Sequence, residues 1–173
     1  KSLNISSQIL TVKGKKPQNR IQSFARKKRY ELLFSKCKKL KINNLILGHH
    51  KDDLIENFFL RMIRGSGLKG LVSLGEFTKI DNINLVRPLV NFDKKDLIFI
   101  SKKAFNFYVD DPSNNNMEFN RVKIRNFIKQ LKLIGLDKKK FQLTIENLKR
   151  SDQTIRFYVE RNKKINSKMN EIK

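Results

Sequence analysis

The sequence is short of cysteine, glycine, proline and acidic residues, and it contains no tryptophan. A single cysteine, Cys37, excludes a disulfide within the chain and any zinc or iron–sulfur site built from several cysteines. The 7 glycines and 3 prolines among 173 residues exclude a collagen-like or low-complexity chain. No run approaches the roughly 20 apolar residues of a membrane span, and no secretory leader opens the sequence, so we expect a cytoplasmic protein without membrane contact.

Basic residues dominate the charge. There are 39 Lys and Arg against 16 Asp and Glu, which gives a formal net charge of +23 at pH 7. Such a charge attracts polyanions, less strongly at high salt, and it favours nucleic acid as the partner. The charge also has two origins that need no nucleic acid, because abundant Lys, Asn, Ile and Phe match A/T-rich codons, and a solubilising surface needs no ligand.

The apolar pattern predicts an α/β unit with parallel strands. Residues 8–12 and 45–47 have strand character, and a helix is predicted between them at residues 19–41. The short apolar run 45–47 is typical of a fully buried parallel strand, so chemistry is expected just after it, from His49 onward. Further elements are predicted as a strand at 85–89 and helices at 53–64, 93–105, 119–133 and from beyond 135 to 161.

Three acids, Asp52, Asp53 and Glu56, are predicted to share the exposed first turn of a helix, beside His49 and His50. Acids at a helix N-terminus stabilise the helix dipole, and Asp53 with Glu56 has the spacing of a capping pair. Such a cluster at a strand end also forms a pocket suited to an ammonium group or a magnesium ion. The residues alone leave both interpretations open.

The segment GHHKDDLIENFFLRMIRGSGLKGL, residues 48–71, resembles the signature of bacterial tRNA(Ile)-lysidine synthetases, members of the N-type ATP pyrophosphatase (PP-loop) superfamily. The segments IQSFARKKRYELL, VRPLVNFDKKDL and VDDPSNNNMEFNRVKIR agree in order and approximate spacing. The resemblance implies a PP-loop, adenine nucleotide alpha hydrolase-like fold: a parallel α/β sheet with flanking helices. Residues 1–135 would form a partial catalytic domain. Residues 136–173 would form a helical linker or the start of a C-terminal tRNA-binding region.

The same resemblance implies a reaction. Family members use ATP to adenylate the C2 carbonyl oxygen of the wobble cytidine in the CAU anticodon of tRNA(Ile). The lysine side-chain amine then displaces AMP and forms lysidine. ATP with Mg²⁺ is therefore expected as cofactor, and tRNA(Ile) and free L-lysine are expected as partners. A homodimer is compatible with this assignment.

By their places in the motifs, Asp53 and Glu56 correspond to acids that hold the substrate lysine, and His49 and Arg121 to catalytic residues. The residues implied at the nucleotide are Gly48, His49, Arg26 and Arg29, and no metal ligand is assigned. Each role has a structural alternative: helix capping for the acids, backbone hydrogen bonding in a turn for His49, and solvated helix faces for the arginines.

The family's S-G-G-x-D-S loop, which cradles pyrophosphate, is not found in the 173 residues. Gly14-Lys15-Lys16 is no substitute, since it lacks the paired glycines, the Asp and the Ser. We therefore expect a chain truncated at its N-terminus that is inactive alone. The alternatives are a non-catalytic basic RNA-binding module and another PP-loop enzyme, such as a tRNA thiolase or an amide-forming synthetase. A thiolase would need paired cysteines, which this sequence lacks.

Overall fold

The computed structural model describes residues 5–12, 14, 17, 21–111 and 119–166. These residues fall into two compact units, Lys1–Leu47 with Phe77–Val86 and Gly48–Glu76 with Arg87–Lys173. The predicted turn at 14–17 and the DPSNNN loop lie partly outside the described residues, because residues 15, 16 and 112–118 are not among them.

The first unit contains helix α1 (Ile21–Lys39) and a three-stranded mixed sheet. Its strands are β1 (Asn44–Ile46), β2 (Phe77–Ile80) and β3 (Ile83–Val86), in the order β1-β3-β2. Parallel pairing is confirmed for β1 with β3, but β2 runs antiparallel to β3. The predicted all-parallel sheet is therefore corrected to a mixed sheet within the described residues.

The core of the first unit lies between α1 and one face of the sheet. Cys37 is buried there with Ile83 and Leu85, which confirms the expectation that the thiol acts as a small hydrophobe. The expectation that β1 is fully buried is wrong, because Ile46 is 69% exposed. The strand predicted at 8–12 is also not formed, and Ile9 is 92% exposed. Strand propensity alone does not make a strand, which is stable only when it pairs.

The β2–β3 hairpin was not predicted from the sequence. Ile80 pairs with Ile83, and Asp81 in the turn between them has a φ of 51°. Aspartate tolerates this left-handed conformation better than most residues do. An Asp-Asn pair between alternating apolar residues was the available signal for a hairpin.

The second unit is helical. Its elements are α2 (Lys51–Ile63), α3 (Leu68–Leu71), α4 (Lys94–Phe105), α5 (Asn120–Leu133) and α6 (Lys138–Asn166). The four predicted helices of this region are confirmed, with bounds that differ from the prediction by at most a few residues. Among the described residues, no helix is long and apolar enough to cross a membrane.

Helix α2 lies at the centre of this unit and contributes to two apolar clusters. Leu54 and Phe58 pack with Ile145 of α6, whereas Ile55 and Phe59 pack with residues of α5, Ile124 and Ile128. The predicted apolar stripe on α2 is thus confirmed except for Met62, which is 46% exposed. Helix α2 is covered by α5 and α6, so its polar first turn is held by the neighbouring helices.

Glycine is required where α2 ends. Gly65 has a φ of 68°, its N–H donates to the Met62 carbonyl at 3.0 Å, and the next N–H donates to the Arg61 carbonyl at 3.0 Å. This is the Schellman arrangement. A side chain in the left-handed region costs about 1–2 kcal/mol.

We therefore expect Gly65→Ala to lower the free energy of unfolding by about 1 kcal/mol in urea titrations. Gly48→Ala is the matched control, because Gly48 has no positive φ and a Cβ there would meet open space. Equal stability of the two variants would contradict this account of the helix end.

Candidate active site at the first turn of helix α2

The start of α2 is fixed by two hydrogen bonds. The His50 N–H donates to Oδ2 of Asp53 at 3.0 Å, and the Lys51 N–H donates to the Phe92 carbonyl at 2.9 Å. The His50 ring is also close to Asp53, with 3.4 Å between Nε2 and Oδ2. Asp53 therefore has the capping contact that its position suggested, and one of its oxygens, Oδ1, points away from that contact.

Glu56 is the most buried charged group of the site, with 3% of its surface exposed. The expectation that it lies on an exposed turn is wrong, because α5 covers it with two arginines. Nε of Arg125 donates to Glu56 Oε1 at 2.5 Å, and Nη1 of Arg121 lies 3.7 Å from Oε2. Burial raises the pKa of Glu56, and the charge of Asp53 adds to this, whereas Arg125 and Arg121 oppose it.

Arg121 joins the two acids. Its Nη1 lies 3.6 Å from Asp53 Oδ1 as well as 3.7 Å from Glu56 Oε2. Both distances exceed an ordinary hydrogen bond, so these contacts are ion pairs without close donor geometry. Three of the residues singled out from the sequence, Asp53, Glu56 and Arg121, are thus brought together from two helices.

A second ion cluster, which the sequence did not indicate, connects α2, α4 and α6. Nζ of Lys138 contacts Asp52 and lies 2.9 Å from Oδ1 of Asp93, the N-cap of α4. Lys51 lies 3.7 Å from Asp93 Oδ2. Burial alone would lower the pKa of Lys138, but hydrogen bonds to the two aspartates raise it. Asp52 is therefore engaged with the start of α6.

A pocket of about 180 Å³ opens beside Glu56. Its polar lining contains two acids and four cations, together with one histidine and two isoleucines; these residues are Asp52, Glu56, Arg125, Lys94, Lys129, Lys132, His50, Ile55 and Ile128. Both acids already contact a cation, so the pocket carries an excess of positive charge. The sequence assigned no role to His50, Arg125 or Lys138.

The remaining candidates lie elsewhere. Gly48 is exposed and His49 is partly buried, both in the segment before α2, and His49 is not in the lining of the pocket. Arg26 and Arg29 are exposed on α1 in the first unit, where the Arg26 guanidinium lies 5.1 Å from the Tyr30 ring centroid. Their predicted nucleotide contacts stay predictions.

The fit to magnesium and to ATP phosphates can be tested on the residues present. Within the described part of the chain, no group of three or more His, Cys, Asp or Glu could hold a metal ion. The acids at the start of α2 contact Lys138, Arg121 and Arg125 instead. These residues do not fit a magnesium ion, so we derive no step through one, and the pyrophosphate loop is not in the sequence.

Comparison with known proteins agrees with this site. Residues 1–132 match the family model of the PP-loop domain. The tRNA(Ile)-lysidine synthase of Orientia tsutsugamushi (strain Boryong) is 41% identical over 130 residues, 75% of this chain and 28% of that protein. The protein of the same name from Wolbachia sp. subsp. Brugia malayi (strain TRS) is 35% identical over 87% of this chain and 35% of its own. That of Bradyrhizobium diazoefficiens is 31% identical over 88% and 42%.

The chain spans between 28% and 42% of the length of these curated relatives. The family match covers most of the 173 residues and includes the helices that carry Asp53, Glu56 and Arg121. The fold, with a small sheet and flanking helices followed by a helical segment, is compatible with that match. The chain belongs to the PP-loop domain family.

Proposed function

We propose that this protein takes part in the ATP-dependent ligation of L-lysine to C2 of the wobble cytidine in the CAU anticodon of tRNA(Ile). The observation that carries the proposal is the convergence of Asp53, Glu56 and Arg121, with 3.6 and 3.7 Å between the guanidinium and the two carboxylates. Relatives that are 31–41% identical are named tRNA(Ile)-lysidine synthase. Membership in the PP-loop family supports ATP as the activating substrate.

The two carboxylates suit the lysine ammonium group. A carboxylate can accept about four hydrogen bonds, and Asp53 uses one on the His50 N–H. The Arg121 contacts are longer than hydrogen bonds, so an ammonium donor can compete for the same oxygens. Asp53 and Glu56 would therefore bind and orient the side-chain amine of free lysine.

The neighbouring arginines suit the chemical step. An ammonium group must lose a proton before its nitrogen can attack, and nearby cations lower the pKa of an amine. The amine nitrogen then forms a bond to C2 of the adenylated cytidine, the bond from C2 to the AMP-bearing oxygen breaks, and AMP leaves. Arg121 is placed to stabilise the negative charge on the departing phosphate.

The test separates lysine binding from ATP binding. Asp53→Asn keeps the shape of the side chain but removes the charge. We expect it to raise the lysine concentration needed for half-maximal rate about ten-fold or more, since a hydrogen bond to a charged group contributes about 1.5–3 kcal/mol. The ATP requirement should change little. Mass spectrometry of tRNA incubated with the protein, ATP and lysine measures the adduct, which has the mass of lysine minus water.

Asp96→Asn is the matched control, because Asp96 is an exposed acid in the first turn of α4. It should leave both requirements unchanged. An equal rise in the lysine and ATP requirements of Asp53→Asn would contradict the lysine-binding role. Tight tRNA binding without any lysine adduct would favour the non-catalytic RNA-binding module instead.

A further inference from the structure

Helix α5 carries a row of four cations on one face. Arg121, Arg125, Lys129 and Lys132 are spaced at i, i+4, i+8 and i+11. At 100° and 1.5 Å per residue they fall within an arc of about 80° and extend over about 16 Å of the helix. The row therefore runs from the acids of α2 along one side of the pocket.

The two halves of this row differ in what they face. Arg121 and Arg125 form ion pairs with Asp53 and Glu56. Lys129 and Lys132 line the pocket, but no carboxylate of the described residues lies within ion-pair distance of them. The same holds for the pocket's Lys94 among the residues that the structure describes. Three ammonium groups thus surround one cavity without a compensating acid.

We propose that Lys94, Lys129 and Lys132 form a binding site for phosphate groups of the RNA strand beside the nucleotide that is modified. The proposal rests on the proposed function, because it takes the RNA substrate as the source of the phosphates. Lysine binds phosphate as a point charge and needs no fixed geometry, which suits a flexible single strand. A cavity of about 180 Å³ is smaller than the roughly 300 Å³ at which small-molecule pockets begin, so it suits a phosphate better than a whole nucleotide.

The geometry of the row also predicts a direction. A strand held by Lys129 and Lys132 lies beside the Arg125 and Arg121 end of the same helix face. There the next nucleotide would meet the carboxylates that bind the lysine amine. The three lysines would thus act as a clamp that positions the reacting base without reading its sequence.

Salt dependence is the sharpest test. The triple variant Lys94→Ala/Lys129→Ala/Lys132→Ala should bind tRNA about ten-fold or more weakly at 0.1 M salt. The slope of log affinity against log salt should fall by about 2, since each single-strand phosphate contact contributes about 0.7. The measurement is fluorescence anisotropy with labelled tRNA over a series of salt concentrations. Circular dichroism checks that α5 remains helical, which is expected because alanine has the highest helix propensity.

The matched control is Lys123→Ala/Lys139→Ala/Lys140→Ala, which removes the same charge from three exposed lysines of the same unit. Lys123 lies on the opposite face of α5, about 200° from Arg121. Equal loss of affinity and slope in the two triple variants would overturn the proposal, since the effect would then be one of net charge.

A raised lysine requirement with unchanged tRNA affinity would also overturn it, because the pocket would then hold the carboxylate of the amino acid. Failure of the proposed function is distinguishable. If the pocket variant loses tRNA binding but the wild-type protein forms no lysine adduct, the RNA site stands and the ligation does not.

Discussion

Phe59→Ala is expected to lower the free energy of unfolding by about 3–5 kcal/mol. The Phe59 ring is 6% exposed and stacks on Phe141 of α6 with 5.3 Å between centroids. It also makes edge contacts with Phe127 and Phe58 at 5.6 and 5.9 Å. Removing the ring leaves a cavity where α2, α5 and α6 meet, because three aromatic neighbours lose their partner at once.

Urea unfolding followed by far-UV circular dichroism measures this effect. Phe99→Ala on α4 is the control, since that ring is 62% exposed and its removal should change the unfolding free energy by less than about 0.5 kcal/mol. A loss below about 1.5 kcal/mol in Phe59→Ala would show that the three helices do not depend on this cluster.

The second large effect is expected when Glu56 loses its closest partner. Arg125→Met should cost about 2 kcal/mol or more at neutral pH. Breaking a fully buried pair costs about 3–5 kcal/mol, and the smaller figure applies because Arg125 is 31% exposed and Arg121 remains near Glu56. Methionine keeps most of the side-chain volume, so the loss reports on charge and hydrogen bonding.

The deficit should depend on pH with a definite sign. Burial already raises the pKa of Glu56, and removing Arg125 takes away the largest opposing influence. A carboxyl group with a raised pKa in the folded state destabilises the fold as pH rises through that pKa, because the folded state then holds more protons than the unfolded state. The difference between wild type and Arg125→Met should therefore shrink as the pH falls toward 4.5, the ordinary pKa of this carboxyl group.

Two variants make this test specific. Glu56→Gln/Arg125→Met should lose the pH-dependent part of the deficit, since no buried carboxyl group remains. Lys129→Met, one helical turn from Arg125, removes an equal charge that has no acidic partner among the described residues, and it should leave stability nearly unchanged. A deficit in Arg125→Met that is constant between pH 4.5 and 7 would exclude Glu56 as its cause.

The sequence predicted the helices of this protein well and its sheet less well. The helices carry their own signals, such as the apolar stripe of α2 and the N-cap Asp93 of α4. Strands depend on partners that are distant in the chain, so the pattern at residues 8–12 predicted a strand that is not formed, and the β2–β3 hairpin was missed. Local propensity cannot decide whether a partner strand is available.

The site shows the same division. The motifs singled out Asp53, Glu56 and Arg121, which the fold brings within 4 Å of one another. They did not single out Arg125 or Lys138, and they placed Glu56 on an exposed turn. Burial of Glu56 depends on how α5 covers α2, which no local pattern encodes. A chain with only 16 acids does offer one signal: a buried carboxylate needs cations, and the Arg121–Arg125 spacing on one helix face provides them.

The packing of α2 against α6 has a consequence during synthesis. Phe141, which covers Phe59, lies 141 − 59 = 82 residues further along the chain. At translation rates of about 5–20 residues per second, the ribosome needs about 4–16 s to make that stretch. During this interval the apolar face of α2 in the nascent chain lacks its cover, which makes this helix the segment best suited to recruit a chaperone.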